Sequence, residues 1–345
     1  MKKFYFVLLF SSVLFMATKQ VDPTEDNPFF KEYATPFEVP PFDKIDTTHY
    51  IPAFERGFAE QQAEIDAIIN NADAPTFENT IMALENSGKL LRKVNLVFGA
   101  VSGANTTKAL QNINRKISPL STKHRDNINL NDKLFARIKT IYDNRLTSNL
   151  DAEQLRTVEK YYDDFIRSGA NLNETDKQKL REMNQKMSAL GVRFGDYQLE
   201  ETNTNFVMVI DNIKDLEGLS KDDIEAAAIT AKQMKMEGKW AFTLQKPSLL
   251  PFLQYAKNRE LREKLYKGYY MRGNNNNKFD TKEIVAQIYN LRLERAKLMG
   301  YKTYAEFGIS NNMAQTPENV YKFLNDIMTP TMEMAIKDRA EMQKI

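Results

Sequence analysis

The feature that most constrains the fold is a long series of apolar residues spaced three and four apart, which begins near residue 54 and continues to residue 298. This spacing places apolar side chains on one face of an α-helix. We therefore predict a mainly α protein whose helices bury the following groups: Phe54, Phe58, Ile65 and Ile68; Phe77, Ile81, Leu84, Leu91 and Phe98; Leu110, Ile113, Ile117 and Leu120; Leu134, Ile138, Ile141 and Tyr142; Leu155, Val158, Tyr162 and Phe165; Leu180, Met183, Met187, Leu190 and Phe194; Ile284, Ile288, Leu291 and Leu298.

Residues that start or stop helices lie between these groups. Asn131 is placed as an N-cap, and a further helix starts near Ser220 and runs through the alanines 226–228. Gly169 and Gly300 are placed as C-terminal stops. Gly88 interrupts the second group, and we expect another backbone to approach it closely.

Two segments depart from the helical pattern. Residues 206–210 are β-branched and apolar, and residues 240–244 alternate large apolar side chains at a period of two. Both patterns are typical of strands. We predict a small antiparallel pair inserted among the helices.

The two ends of the chain differ from its middle. Lys2 and Lys3 precede an apolar stretch from Phe4 to Ala17, which predicts a signal peptide over residues 1–20 and an exported protein. The cleavage site is weakly specified, and no cysteine is present for a lipid anchor. Residues 21–45 contain consecutive prolines, which predict an extended surface arm with its phenylalanines tucked in.

The last helix is predicted to begin at Thr329 as N-cap and Pro330 as the first helical residue. It runs to Ile345 without a Gly, Asn or Pro to end it. Such an ending is expected of a chain that has been cut short.

Composition excludes several kinds of chemistry. The 345 residues contain no cysteine, which rules out disulfides, thiolate-bound metals and cysteine nucleophiles. Forty-eight basic and 46 acidic residues give a net charge of +2, which is too small to indicate nucleic-acid binding. Only two histidines, His49 and His124, are available as metal ligands, and neither belongs to an H-E-x-x-H motif. We expect His49 to make a structural hydrogen bond and His124 to be partly buried.

No arrangement of reactive residues emerges from the sequence, so no catalytic residue and no metal ligand is assigned, and the substrate-binding residues are unknown. The chain has no nucleotide-binding glycine motif and no G-x-S-x-G motif, and packing is the expected role of Gly99 and Gly103. Neighbouring acidic residues point in different directions on a helix, so a solvated face or an N-cap explains the pairs Asp163-Asp164, Glu200-Glu201 and Asp222-Asp223.

Several stretches taken together resemble a known family. They are Pro41-Phe-Asp-Lys-Ile45, His49-Tyr-Ile-Pro-Ala-Phe54, Pro75-Thr-Phe-Glu-Asn-Thr80, Ala83-Leu-Glu85, Ser87-Gly88, Phe242-Thr-Leu244, Asn258-Arg-Glu-Leu-Arg-Glu-Lys-Leu-Tyr266, Arg292-Leu-Glu294 and Ala296-Lys-Leu-Met-Gly-Tyr301. In this order they resemble the N-terminal half of the thimet-oligopeptidase family of zinc metallopeptidases, in particular its peptidyl-dipeptidase (Dcp) branch. The resemblance covers roughly residues 36–345.

The resemblance implies a two-lobed, mainly helical peptidase with a channel, of which this chain is one wall. Family members cleave short peptides, and the peptidyl-dipeptidases release dipeptides from the C-terminus. Their zinc is bound through H-E-x-x-H and a further carboxylate in the second half, where the motif's glutamate is the general base. None of those residues is present here, so the chain alone is expected to bind no zinc and to be inactive.

This interpretation gives a domain plan and two alternatives. After the arm we predict a helical domain at 46–200 and a second helical segment at 201–345, which contains the strand pair and continues into a missing catalytic half as its intramolecular partner. Short peptides are the expected ligands, and no membrane span is expected after signal cleavage. The alternatives are a stand-alone, non-catalytic helical peptide-binding module and an exported scaffold.

Overall fold

The structure, a computed structural model, describes residues 26–345. The predicted signal peptide and the first residues of the predicted arm lie outside them. The described helices are α1 (Thr47–Ile69), α2 (Ala83–Glu85), α3 (Lys89–Ala104), α4 (Lys108–Asn129), α5 (Asp132–Asp143), α6 (Ala152–Ser168), α7 (Glu174–Thr204), α8 (Lys221–Gln233), α9 (Lys246–Tyr255), α10 (Arg259–Tyr270), α11 (Lys282–Leu298), α12 (Tyr304–Ile309) and α13 (Pro317–Met342). A π-helical turn, Phe77–Met82, leads directly into α2.

The predicted fold class is confirmed, since the described chain is mainly helical with one two-stranded antiparallel sheet. Strand β1 (Val207–Ile210) pairs with β2 (Trp240–Thr243) so that Val207 faces Thr243 and Ile210 faces Trp240. No helix of residues 26–345 combines the length and the apolar character that crossing a bilayer requires.

The described chain divides into two compact units, residues up to 61 with 88–106 and residues 62–87 with 107–345. The first unit has an aromatic core, in which Phe98 packs edge-on against Tyr50 and Phe54 at centroid distances of 5.1 and 5.6 Å. Leu91 approaches so closely that a Cβ on Gly57 would lie 3.0 Å from the Leu91 Cα. The glycine thus allows α1 and α3 to pack at backbone distance.

The second unit has three apolar clusters. The first joins the end of α1 to the π-helical turn, the end of α4, and α5 and α6, and the second joins α7 to α11. The third packs both strands against α8, α9 and α10. Most of the predicted apolar groups lie in these clusters, which is why their periodicity identified the helices. The predicted domain boundary at residue 201 stays a prediction.

Helix caps agree with the sequence signals at several ends. The Asn131 side chain accepts a hydrogen bond from the Leu134 N–H, and Ser220 caps α8 in the same way. Gly169 ends α6 with φ at 100°, a left-handed conformation that glycine adopts without steric cost.

The predicted start of the last helix is wrong. Helix α13 begins thirteen residues earlier, where Thr316 caps it and Pro317 occupies its first turn, and Pro330 lies inside it. The two Thr-Pro pairs carry the same local signal. Once the helix has started at the first pair, continuing it past the second costs less than nucleating a new helix.

Four further expectations about packing are also wrong. Gly99 and Gly103 face open space, so packing does not explain them. Gly88 has φ at 67° and meets the Gln61 side chain, while the close backbone approach occurs at Gly57. Of the arm's phenylalanines, Phe29 is buried, but Phe37 is fully exposed. Phe42 and Leu120 are about half exposed, at 50% and 44%. Single apolar residues are common on the surfaces of folded proteins, so an apolar residue in a predicted stripe need not be buried.

The buried Arg137 on α5 fixes the segment that precedes the π-helical turn. Its guanidinium donates hydrogen bonds to the backbone carbonyls of Asn71 and Asp73 and to the side chains of Asn79 and Thr80, at 2.9 to 3.3 Å. All four partners are neutral. The arginine therefore stabilises this segment by hydrogen bonding and not by an ion pair.

We predict that Arg137→Met lowers the unfolding free energy by roughly 2–4 kcal/mol, because it removes the donors of four hydrogen bonds that are buried or partly buried. Arg156→Met is the matched control, since Arg156 is exposed and its ion pair within residues 26–345 is with Glu159. The control should change stability by about 0.5 kcal/mol or less. Urea titrations followed by circular dichroism measure both, and equal midpoints for the two variants would contradict the assigned role.

Candidate functional site

The second unit contains a cleft of about 520 Å³ between α4 and α7. Residues of the two helices and of the loop before α11 line it: Lys108, Gln111, Arg115, Pro119, Ala189, Val192, Arg193, Asp196, Tyr197, Glu200 and Phe279. A volume of several hundred Å³ is typical of pockets for small ligands. The cleft is therefore the candidate binding site of the described chain.

Two ion pairs connect the helices along the rim of the cleft. Lys108 near the start of α4 pairs with Glu200 near the end of α7, and Arg115 pairs with Asp196. The partners in each pair come from helices that run in opposite directions, so the pairs keep the register of α4 against α7. Pro119, Ala189 and Val192 form an apolar part of the lining, which we call the floor.

One end of the cleft is aromatic. The rings of Tyr197 and Phe279 meet edge to face, with centroids 5.9 Å apart. Arg193, one turn before Tyr197 on α7, donates from its Nε to the tyrosine hydroxyl at 3.1 Å and lies 5.2 Å from the ring centroid. This end combines flat apolar surface with a positive charge.

The loop that carries Phe279 is attached to α7 by a buried carboxylate. Glu201 is 1% exposed. Its Oε2 accepts from the Gly273 N–H at 2.8 Å, and its Oε1 accepts from the side-chain amides of Asn275 at 3.1 Å and Asn277 at 2.7 Å. The side-chain amide of Asn205 also donates to Oε1. A buried carboxylate with four donors is fully satisfied without a cation.

Further contacts fix the same loop. The side chain of Gln198 donates to the Arg272 carbonyl at 3.3 Å, and the Arg272 guanidinium donates to the Thr202 hydroxyl at 2.8 Å. Gly273 has φ at 76°, and a Cβ there would lie 2.3 Å from the Thr281 Oγ1. A side chain at this position would be strained and would clash with Thr281, so glycine allows the loop to approach α7 closely.

The hydrogen bonds set the charge state of Glu201. Burial alone would raise the pKa of this carboxyl. The donors from Asn277, Gly273, Asn275 and Asn205 outweigh burial, so the pKa lies below its usual value. Glu201 is therefore ionised at neutral pH.

The histidines do not contribute to the cleft. His49 accepts a hydrogen bond at Nδ1 from the Asp46 N–H at 3.0 Å, the structural role expected for it. His124 is half-buried on α4, and burial lowers its pKa. Residues 26–345 contain no group of three or more His, Cys, Asp or Glu side chains placed to hold a metal ion.

The expectation for one acidic pair is wrong. Asp163 and Asp164 are exposed, and Asp223 lies in the first turn of α8, as expected. Glu201, in contrast, is buried and holds a loop. A signal for this was present in the sequence, because Glu201 follows Phe194 and Tyr197 at steps of three and four on the buried stripe of α7.

Comparison with known proteins shows a similarity to peptidases. Residues 252–345 match the sequence model of peptidase family M3. Dipeptidyl carboxypeptidase of Escherichia coli (strain K12) is 34% identical over 322 residues, which are 93% of this chain and 47% of that protein. Oligopeptidase A of the same organism is 27% identical over 316 residues, 90% of this chain and 46% of that protein. Saccharolysin of Saccharomyces cerevisiae is 23% identical over 283 residues, 80% of this chain and 38% of that protein.

In these matches the chain resembles family M3 peptidases, and it spans about half the length of the curated relatives that it matches. Identity to the dipeptidyl carboxypeptidases, at 33–34%, exceeds the 26–28% identity to the oligopeptidases A. The predicted resemblance to the thimet-oligopeptidase family, and to its peptidyl-dipeptidase branch, is confirmed.

We predict that Glu201→Gln lowers the unfolding free energy at pH 7 by about 1–3 kcal/mol. The glutamine side chain places its own N–H₂ donor next to N–H donors of the surrounding residues, where the carboxylate had an acceptor. The neighbouring Glu200→Gln is the control, and it should cost about 1 kcal/mol or less, since it removes only a rim ion pair. Thermal or urea unfolding of both variants measures the difference.

The effect of Glu201→Gln should depend on pH. Because the pKa of Glu201 is lowered on folding, its carboxylate stabilises the fold above the unfolded pKa, and this contribution is lost as the pH falls through the folded pKa. The gap between wild type and Glu201→Gln should therefore shrink on acidification. A gap that stays constant down to acid unfolding would contradict the lowered pKa.

Proposed function

We propose that this chain is the N-terminal portion of a peptidyl-dipeptidase-like zinc metallopeptidase that releases dipeptides from the C-terminus of short peptides. In this proposal the chain forms part of the wall of the peptide channel and has no activity by itself. The observation that carries the proposal is the extent of the likeness, which takes in 93% of this chain but only 47% of a dipeptidyl carboxypeptidase.

The proposal assigns zinc to the complete enzyme and not to these residues. In the family, zinc activates water for attack on the peptide carbonyl. The described residues do not fit that ion, because no three ligand-type side chains converge within 26–345 and His49 Nδ1 is already engaged by a backbone N–H. We therefore assign zinc binding to the second half of the family protein.

Helix α13 supports an intramolecular partner. No side chain of residues 317–342 is buried. Its large apolar residues are about half exposed or more: Tyr321, Phe323, Leu324, Ile327, Met328, Met332, Met334, Ile336 and Met342. At about 100° per residue these occupy roughly 220° of the helix circumference. A helix that is apolar over so wide an arc is typical of a protein interior.

We predict that the purified 345-residue chain, supplied with zinc, releases no dipeptides from blocked tripeptides or tetrapeptides and binds no stoichiometric zinc by metal analysis. Reading the coding sequence beyond Ile345 is the complementary test, and the proposal requires an H-E-x-x-H motif there. Chelator-sensitive dipeptide release by this chain alone would overturn the proposed division of roles.

We also predict that the chain self-associates through α13 at micromolar concentrations, since its apolar face is exposed. The double variant Leu324→Gln, Met328→Gln should shift the chain toward monomer in sedimentation velocity experiments without lowering its melting temperature. Met313→Gln is the control, because Met313 is fully exposed but lies outside α13. Equal association of the wild type, the double variant and the control would exclude α13 as the surface through which the chain self-associates.

A second candidate is a stand-alone, non-catalytic helical module that binds peptides or serves as a scaffold. The observation that favours it is the α4–α7 cleft, whose lining residues include apolar, aromatic and charged side chains of this chain. A natural stop codon after Ile345, with no peptidase sequence following, would support the module over the partial enzyme.

We further propose that the protein is exported, on the strength of Lys2, Lys3 and the apolar stretch that follows. Fractionation of expressing cells, with N-terminal sequencing of the product, tests this. A product that retains Met1 and remains in the cytoplasm would refute export.

A further inference from the structure

The charges around the α4–α7 cleft do not balance. Lys108 and Arg115 are each paired with a carboxylate on α7. Arg193 is exposed, and no carboxylate of the described residues lies within ion-pair distance of it. Of the three basic residues that line the cleft, Arg193 is therefore the one without a carboxylate partner in the described chain.

The side chain of Arg193 is held in one orientation, but only part of its hydrogen-bonding capacity is used within the described chain. Its Nε is engaged by the Tyr197 hydroxyl at 3.1 Å, which holds the guanidinium beside the ring. The two terminal nitrogens have no partner among residues 26–345. A planar guanidinium with two free terminal nitrogens matches the geometry of a carboxylate, which it binds through two parallel hydrogen bonds.

A second cation lies near the aromatic end. The Lys278 ammonium is 4.8 Å from the centroid of the Phe279 ring and has no carboxylate partner in the described chain. Each unpaired cation thus lies near one of the two aromatic rings, Arg193 in the lining of the cleft and Lys278 outside it, while the paired ones lie along α4. The aromatic end consequently favours an anionic group over a neutral or cationic one.

The space next to Arg193 is apolar. The rings of Tyr197 and Phe279 form one wall, and Pro119, Ala189 and Val192 form the floor. The cleft volume of about 520 Å³ exceeds what a single side chain needs and is sufficient for a ligand of one to three residues. Because the loop that carries Phe279 is fixed by Glu201, this wall exists before a ligand arrives.

We propose that the α4–α7 cleft binds a free carboxylate that is attached to an apolar residue, as at the C-terminus of a short peptide or in a free N-acylated amino acid. The carboxylate lies on Arg193, and the apolar side chain lies between the aromatic wall and the Pro119 floor. Glu201 is a positioning residue, since it touches the loop and not the ligand. The inference does not depend on hydrolysis, because binding is a property of this chain.

The test is calorimetric titration of the 345-residue chain with three probes: N-acetyl-L-phenylalanine, its C-terminal amide, and N-acetylglycine. We expect saturable binding of N-acetyl-L-phenylalanine that is at least about threefold tighter than binding of the amide, which lacks the charge. It should also be tighter than binding of N-acetylglycine, which lacks the apolar side chain. The tripeptide Gly-Gly-Phe separates the two sources, since a gain over the acylated amino acid identifies a peptide end and equal affinity identifies the terminal residue alone.

Variants locate the site. Arg193→Gln should remove most of the preference for the acid over the amide, while Phe279→Ala should weaken binding of both. Lys186→Gln is the matched control, because Lys186 is an exposed cation on the same helix that does not line the cleft. It should leave every affinity within about twofold of wild type. Melting temperatures establish that each variant is folded, and Phe279→Leu, which keeps an apolar side chain, replaces Phe279→Ala if the latter is not.

Two results would overturn the proposal. The first is the absence of saturable binding of N-acetyl-L-phenylalanine, or equal affinity for the acid and the amide in the wild-type chain. The second is an acid preference that survives Arg193→Gln in a folded protein. Either outcome is separate from the peptidase assay, so failure of dipeptide release would leave this inference standing and failure of binding would leave the proposed peptidase standing.

Discussion

The buried carboxylate of Glu201 is the interaction on which the candidate site depends. Placing an ionised carboxylate in the interior costs several kcal/mol unless its oxygens are hydrogen-bonded. In this chain the compensation comes from the Gly273 N–H and from three asparagine side chains, two of them in the loop before α11. Satisfying the carboxylate therefore requires one loop conformation, and that conformation places Phe279 over the cleft. The aromatic wall is a consequence of satisfying one charge on α7.

Helix α7 connects this polar site to the packing of the second unit. Its apolar stripe meets Ile284, Ile288 and Leu291 of α11, and its rim carboxylates meet the basic residues of α4. The stripe and the carboxylates lie on different parts of the helix surface. One helix can therefore pack in the apolar core and also line the cleft. Helix α13 differs, because its apolar arc is too wide for a single neighbour and is left uncovered in the described chain.

Helices and strands could be predicted because burial imposes a period on the sequence, and the ends of α5, α6 and α8 could be predicted because single residues cap them. Local signals failed where the outcome depends on distant partners. Glu201 belongs to a buried stripe, but only the folded loop shows that it is satisfied. The two Thr-Pro pairs at 316–317 and 329–330 are locally equivalent, and only the course of the helix distinguishes a start from an interior position. The cleft was not predicted at all, since it joins positions up to 171 residues apart.

Arg137 and Glu201 solve the same problem with opposite charges. Each extends from a helix into the interior, and each is satisfied by neutral groups, mostly those of a polar segment that connects two helices. A protein without disulfides has few ways to fix such segments other than packing. The segment bound by Arg137 and the loop bound by Glu201 are both too polar to pack in an apolar core. A buried charge orders them because its desolvation cost is offset only when all the partners are in place. Since neither site relies on an opposite charge, added salt should weaken these two anchors far less than the rim ion pairs of the cleft.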